Sequence, residues 1–182
     1  QGNGMGGLNA ELRIANPLLT RHFNNLVAWQ RDGLFRYGGR DGAADALFPS
    51  GECAIIFASS GLRARVQREA QFQWGVAMLP VYQGTTPINS IIGGASLWVM
   101  GGKKPEEYKG VAAFLAHLAS PDQQAKWHKD TGYMPITKAA YEKVKAEGYY
   151  DKNPQQEVAI TQVQRGTPTL NTMTVRLGNA NQ

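Results

Sequence analysis

Two adjacent serines, Ser59 and Ser60, followed by Gly61, are the residues whose types and placing best suit ligand chemistry in this chain of 182 residues. They follow Cys53, Ala54, Ile55, Ile56, Phe57 and Ala58, a continuous apolar run that reads as a strand buried on both faces. After them comes a helical pattern over 62–71, with Leu62, Val66, Glu69 and Ala70 on one stripe. The carboxyl end of a buried strand, where it meets a helix, is the edge at which open α/β sheets bind ligands. Free amides and the positive end of the helix dipole favour an anion there. A plain serine N-cap, contributing about 1 kcal/mol, fits the same residues equally well.

Two other positions invite a ligand. Gly93 and Gly94 precede the apolar run 97–100, where glycine marks either a bulge or a close approach of backbone to a bound molecule. Tyr133 falls in a turn between helical patterns, so its hydroxyl can point into a cleft. Ordinary structural roles account for all of these on spacing alone.

The catalytic motifs fail. The glycines at 2, 4 and 7 have the letters of a dinucleotide fingerprint but no strand before them and no acid about 20 residues on, so a nicotinamide cofactor is not expected. Ser96 lacks the flanking glycines of a nucleophile elbow. His22, His117 and His128 sit within helical patterns without metal-ligand spacing, and Cys53 is expected to be an inert thiol in a buried strand. No catalytic constellation, metal site or cofactor is expected. A phosphodiesterase or esterase using Ser59 or Ser96 would need a base within hydrogen-bond reach of the serine, and the pattern directs no histidine there.

Short helices and apolar runs carry these residues. Asn16 and Pro17 open a helix that Gly33 stops, with Leu18, Leu19, His22, Phe23, Leu26 and Val27 on one stripe. A short helix is expected over 42–48. Strands are expected at 53–58, 74–79 and 97–100, and the first two flank a helix in the manner of a parallel crossover. Pro105 opens a helix to about residue 119, Pro121 one to about 129, Thr137 caps 138–147, and Asn153 with Pro154 opens one to about 164. The fold class is therefore α/β, a mostly parallel sheet flanked by helices.

Composition narrows the partners. Nineteen basic against 14 acidic residues leave a net charge of +5. The bases are spread from Arg13 to Arg176 and interleaved with acids, which argues against nucleic acid and suits a small anion. No run approaches the roughly 20 apolar residues of a membrane helix, so the chain is not expected to be membrane-embedded. Both ends read as cuts: nothing resembles a leader at the start, and no closing helix ends the chain.

Taken together, Ala58-Ser59-Ser60-Gly61, the stretch 91–100 (Ile-Ile-Gly-Gly-Ala-Ser-Leu-Trp-Val-Met) and the stretch from Trp127 and His128 through Thr131-Gly132-Tyr133-Met134-Pro135 to Tyr141 resemble the glycerol-phosphate receptors among the solute-binding proteins of ABC importers, in the maltose-binding-like superfamily. The opening residues 1–7, residues 149–154 and residues 176–179 resemble them too. The resemblance implies a periplasmic receptor of two α/β lobes that clamps sn-glycerol-3-phosphate, and its diesters, between them and delivers it to the importer's membrane subunits. Carried over by motif position, the ligand contacts are Ser59, Gly94 and Tyr133. The implied organisation is a segment of the C-terminal lobe at 1–92, a hinge crossing with helices packing on the other lobe at 93–148, and a truncated return segment at 149–182. An arginine that the family presents to the phosphate falls beyond Gln182, so this chain by itself is expected to bind weakly or not at all. A related receptor for a sugar or another polyol is the alternative.

Overall fold

The structure, a computed structural model, describes residues 15–87, 90 and 92–165. The glycine-rich opening, Ile91 and the segment from 166 onward, with the Leu-Gly-Asn stretch, lie outside the described residues.

Local capping decides where the helices begin. α1 spans Pro17–Arg31, and the Asn16 side chain accepts from the Leu19 amide at 2.9 Å. Ser59 caps a 3-10 turn, Ser60–Leu62, that runs directly into α2, Arg63–Glu69. Pro105 opens α3, Pro105–Leu118, where Glu107 accepts from the Lys104 amide at 2.9 Å. Ser120 caps α4, Pro121–Thr131, which ends on Gly132 in the left-handed conformation (φ 85°). Thr137 caps α5, Lys138–Ala146. A one-turn α6, Tyr149–Lys152, and a second 3-10 turn, Pro154–Gln156, lead into α7, Val158–Gln164.

Packing gathers in the later half. Ala125 of α4, Val144 of α5, Tyr150 of α6 and Ile160 of α7 form the buried cluster, with Met134, Tyr141 and Tyr149 against it. α4 and α5 are the principal pair. Polar ties attach the earlier half. Gln162 of α7 accepts from the Leu79 amide and donates to Ser90 Oγ, both at 2.6 Å. α1 reaches the loop at Tyr82, whose hydroxyl lies 3.0 Å from both His22 Nδ1 and Asn25 Nδ2. The Arg21 guanidinium sits 4.5 Å over the same ring.

Two expectations need correction, and a third is not met among the described residues. Residues 42–48 form a succession of turns, not a helix. Their amides donate three residues back, Asp45 to Gly42 and Leu47 to Ala44, and Asp41 and Gly51 at positive φ bound the segment on either side. Cys53 is half-buried rather than enclosed. The runs 53–58, 74–79 and 97–100 join no ladder: no strand is formed among the described residues. Ile55 is 75% exposed and Trp98 88% exposed. A strand exists only through a second strand that takes its amides in series, and among the described residues these runs meet single side chains and turns instead.

Stability is accordingly uneven. Val144→Ala, at a fully buried position, is expected to lower unfolding free energy by about 2 kcal/mol in urea titrations. Leu97→Ala, on an uncovered run, is expected to change it by less than about 0.5 kcal/mol.

Candidate ligand site

The turn after α4 docks on the junction before α2. An ideal Cβ on Gly61 would sit 2.6 Å from Tyr133 Cζ and 2.8 Å from its hydroxyl oxygen, so the phenol lies flush on the backbone of residue 61. Only glycine permits that approach. Gly132 completes the fit from the other side: a Cβ there would meet the Ser60 carbonyl oxygen at 2.8 Å and the Arg63 side chain at 3.0 Å. Segments more than 70 positions apart in sequence thus close into one surface.

Ser59 and Tyr133 are brought together by this docking, and both are exposed, Tyr133 at 46%. Ser59 Oγ accepts from the Gly61 amide at 3.3 Å, which leaves its hydroxyl proton without an acceptor among the described residues. The Tyr133 hydroxyl makes no hydrogen bond to a described residue. Gly94 is not brought into this group. Its φ is 139° and open space surrounds the place of a Cβ, so its backbone is bare but stands apart.

The amides at the helix start are less available than the sequence suggests. The Gly61 amide is held by Ser59 Oγ, Leu62 donates to the Ser59 carbonyl and Arg63 to the Ser60 carbonyl. Both α2 and the turn before it are short, which weakens any dipole contribution. The cationic contribution comes instead from Arg63, whose Nη1 donates to the Lys129 carbonyl at 3.0 Å. With the Gln156 amide oriented carbonyl-inward, that oxygen accepts from Arg63 Nε and from the Tyr149 hydroxyl, each at 2.8 Å. No carboxylate pairs with Arg63 among the described residues, so its charge is held against neutral oxygens only.

His128 holds the turn from inside. It is 1% exposed, and its Nδ1 lies 2.6 Å from the Tyr133 carbonyl oxygen while Nε2 lies 3.1 Å from the Tyr150 hydroxyl. A carbonyl only accepts, so Nδ1 carries the proton and Nε2 accepts from Tyr150. The Tyr150 hydroxyl stays protonated because burial, then the charge on Tyr141, Glu157 and Tyr149, pushes its pKa up. Burial pulls His128 below the ordinary histidine value. Its bond to Tyr133 opposes that shift, and the charges on Arg63 and Lys129 add to it. Its sequence context places His128 on a helix, without metal-ligand spacing and within the stretch 127–141 that carries the resemblance. Its position in the last turn of a helix ending on glycine is the one local sign of a role at that terminus.

His22 is bonded to Tyr82, so no histidine is hydrogen-bonded to Ser59 or Ser96 among the described residues. The geometry is that of a surface with hydroxyls and a nearby cation, suited to gripping oxygen atoms.

The sequence profile of the bacterial extracellular solute-binding proteins matches residues 4–159. The chain belongs to this family. It is 47% identical over 180 residues to the sn-glycerol-3-phosphate-binding periplasmic protein UgpB of Rhizobium meliloti, covering 99% of this chain and 42% of that protein. Proteins of the same name from Agrobacterium fabrum and Brucella abortus are 46% and 43% identical, each over 99% of this chain and 41% of their own length. The chain therefore spans about two fifths of the length of the curated relatives it matches. The family has the periplasmic-binding-protein fold.

Two predictions follow from the docking. Gly61→Ala pushes only the end of a tyrosine side chain, so thermal denaturation should show a small loss while the phenol is displaced. Gly132→Ala meets backbone at positive φ and should cost about 2 kcal/mol or more. Acidification supplies the other. Above pH 6.5 both folded and unfolded chains carry neutral His128. Below it the unfolded chain takes up the proton first, so stability falls as pH drops toward the lowered folded value. The melting temperature of the wild type should drop as pH falls below about 6.5, and His128→Asn should flatten that slope.

Proposed function

We propose that the protein carrying this chain is the receptor of an ABC importer, that it captures sn-glycerol-3-phosphate and its diesters in the periplasm, and that it is not an enzyme. Ser59 and Tyr133 grip the ligand's oxygens with hydroxyls whose protons are otherwise unused. Gly94 contributes bare backbone once the lobes close on a hinge at 93 and 94. On this reading residues 1–92 are a segment of the C-terminal lobe, 93–148 cross and pack on the other lobe, and 149–182 return, with the uncovered runs 53–58, 74–79 and 97–100 as strands of the completed mostly parallel sheets.

What carries the reading is the Tyr133 phenol lying flush on Gly61 beside Ser59, within a chain whose relatives are named for binding this solute. Supporting it are the exposure of both hydroxyls and the charge of Arg63 beside Gly132, which no carboxylate among the described residues pairs. Closure supplies the mechanism of delivery: a ligand that touches both lobes favours the closed form by its differential affinity, and the closed form presents a new surface to the membrane subunits. Against catalysis stands the absence, among the described residues, of a base bonded to either candidate serine.

Isothermal titration of the full-length protein tests this. Glycerol-3-phosphate should bind, and Tyr133→Phe and Ser59→Ala should each weaken binding on the order of tenfold, the effect of losing one positioned hydrogen bond to a charged group. Stabilisation by unphosphorylated sugars and not by glycerol phosphates would instead identify a receptor for a sugar or polyol. Hydrolysis of a chromogenic diester that is lost in Ser59→Ala would overturn the non-enzymatic assignment.

A further inference from the structure

We propose that His128 is the positioning residue for ligand capture: through its bond to the Tyr133 carbonyl, and with Tyr150 fixing its tautomer, it sets where the phenol stands over Gly61. The inference rests on the assignment of Tyr133 as a ligand contact and adds to it a named residue that touches no ligand.

The argument starts from the turn. Thr131, Gly132 and Tyr133 leave α4 through one left-handed residue, and the Tyr133 amide donates to Thr131 Oγ1 at 3.2 Å. These local bonds shape the bend but do not hold its carbonyl side. The His128 bond at 2.6 Å does, and it comes from a ring fully enclosed between Tyr149 and Tyr150, whose centroids lie 6.2 Å and 5.7 Å away. An enclosed ring of this kind cannot follow the turn if the turn moves. Tyr150 in turn belongs to the main buried cluster, so the position of an exposed phenol is referred to the best-packed part of the molecule. Arg63 holds the same turn's approach from the other flank, through Lys129 and Gln156, without touching the Tyr133 carbonyl.

Asparagine places an amide N–H where Nδ1–H stands, whereas leucine fills the space without a donor. Tyr150→Phe keeps the ring packing and removes only the hydroxyl that fixes the tautomer.

The test is a double-mutant cycle by titration of the full-length protein with glycerol-3-phosphate, joined to NMR of the unliganded protein. His128→Leu should weaken binding on the order of tenfold when Tyr133 is present and by less than about twofold in a Tyr133→Phe background, while His128→Asn recovers most of the loss. Imidazole nitrogen resonances should report the Nδ1–H tautomer in the wild type and a mixture in Tyr150→Phe. Tyr133 ring resonances should shift in His128→Leu and stay near wild type in His128→Asn. Equal losses from His128→Leu in both backgrounds, or no rescue by asparagine, would reduce His128 to a packing residue and overturn the proposal. If Tyr133→Phe leaves affinity unchanged, the ligand role of Tyr133 fails and positioning for capture fails with it. The Tyr133 resonances then still report separately whether His128 holds the turn.

Discussion

The surface formed by the turn after α4 and the junction before α2 depends on one close contact, the phenol of Tyr133 against a backbone with no side chain at Gly61. The contact is non-local and needs two glycines at once. Gly61 clears space for the ring, and Gly132 bends the chain through a left-handed residue while letting it pass the Ser60 carbonyl. Close packing makes such a fit intolerant of even one methyl group. Without the contact, Ser59 would be a helix cap and Tyr133 a surface residue, and neither would reinforce the other.

Helix starts were legible because capping is local chemistry. Asn16 before Pro17, Ser120 before Pro121 and Thr137 before Lys138 each bind an amide within three residues, so four letters suffice to locate them. The short α6 was not legible, since Tyr149 and Tyr150 look like any aromatic pair until Gly148 at φ 67° restarts the helix. The apolar runs are the opposite case. Hydrophobic residues in sequence state that a segment wants cover, not that cover is present, and residues 53–58 lie open for want of a second strand among the described residues.

The site divides along the same line. Ser59 and Tyr133 could be named from the resemblance, and Tyr133 lies against Gly61, two residues from Ser59. Gly94 could be named the same way, yet nothing among the described residues approaches it. Arg63 and His128 escaped because their importance lies in partners 66, 93, 5 and 22 positions away in the chain, at Lys129, Gln156, Tyr133 and Tyr150. A guanidinium bonded to carbonyl oxygens looks the same in sequence as one in solution.

On the proposed function, the exposure of the pair bears on how capture works. A hydroxyl half in water exchanges one hydrogen bond for another when a ligand arrives, so its net gain is small. Its worth rises when water is excluded, because the local dielectric falls and an unmet donor becomes costly. A chain covering about two fifths of its relatives' length presents these groups on an open face. Tight binding therefore has to be generated by whatever closes over that face. What this segment contributes is pre-organisation: hydroxyls set beforehand on a backbone contact, one of them tied through a buried histidine to the packed helices, lose little further freedom when the face is covered.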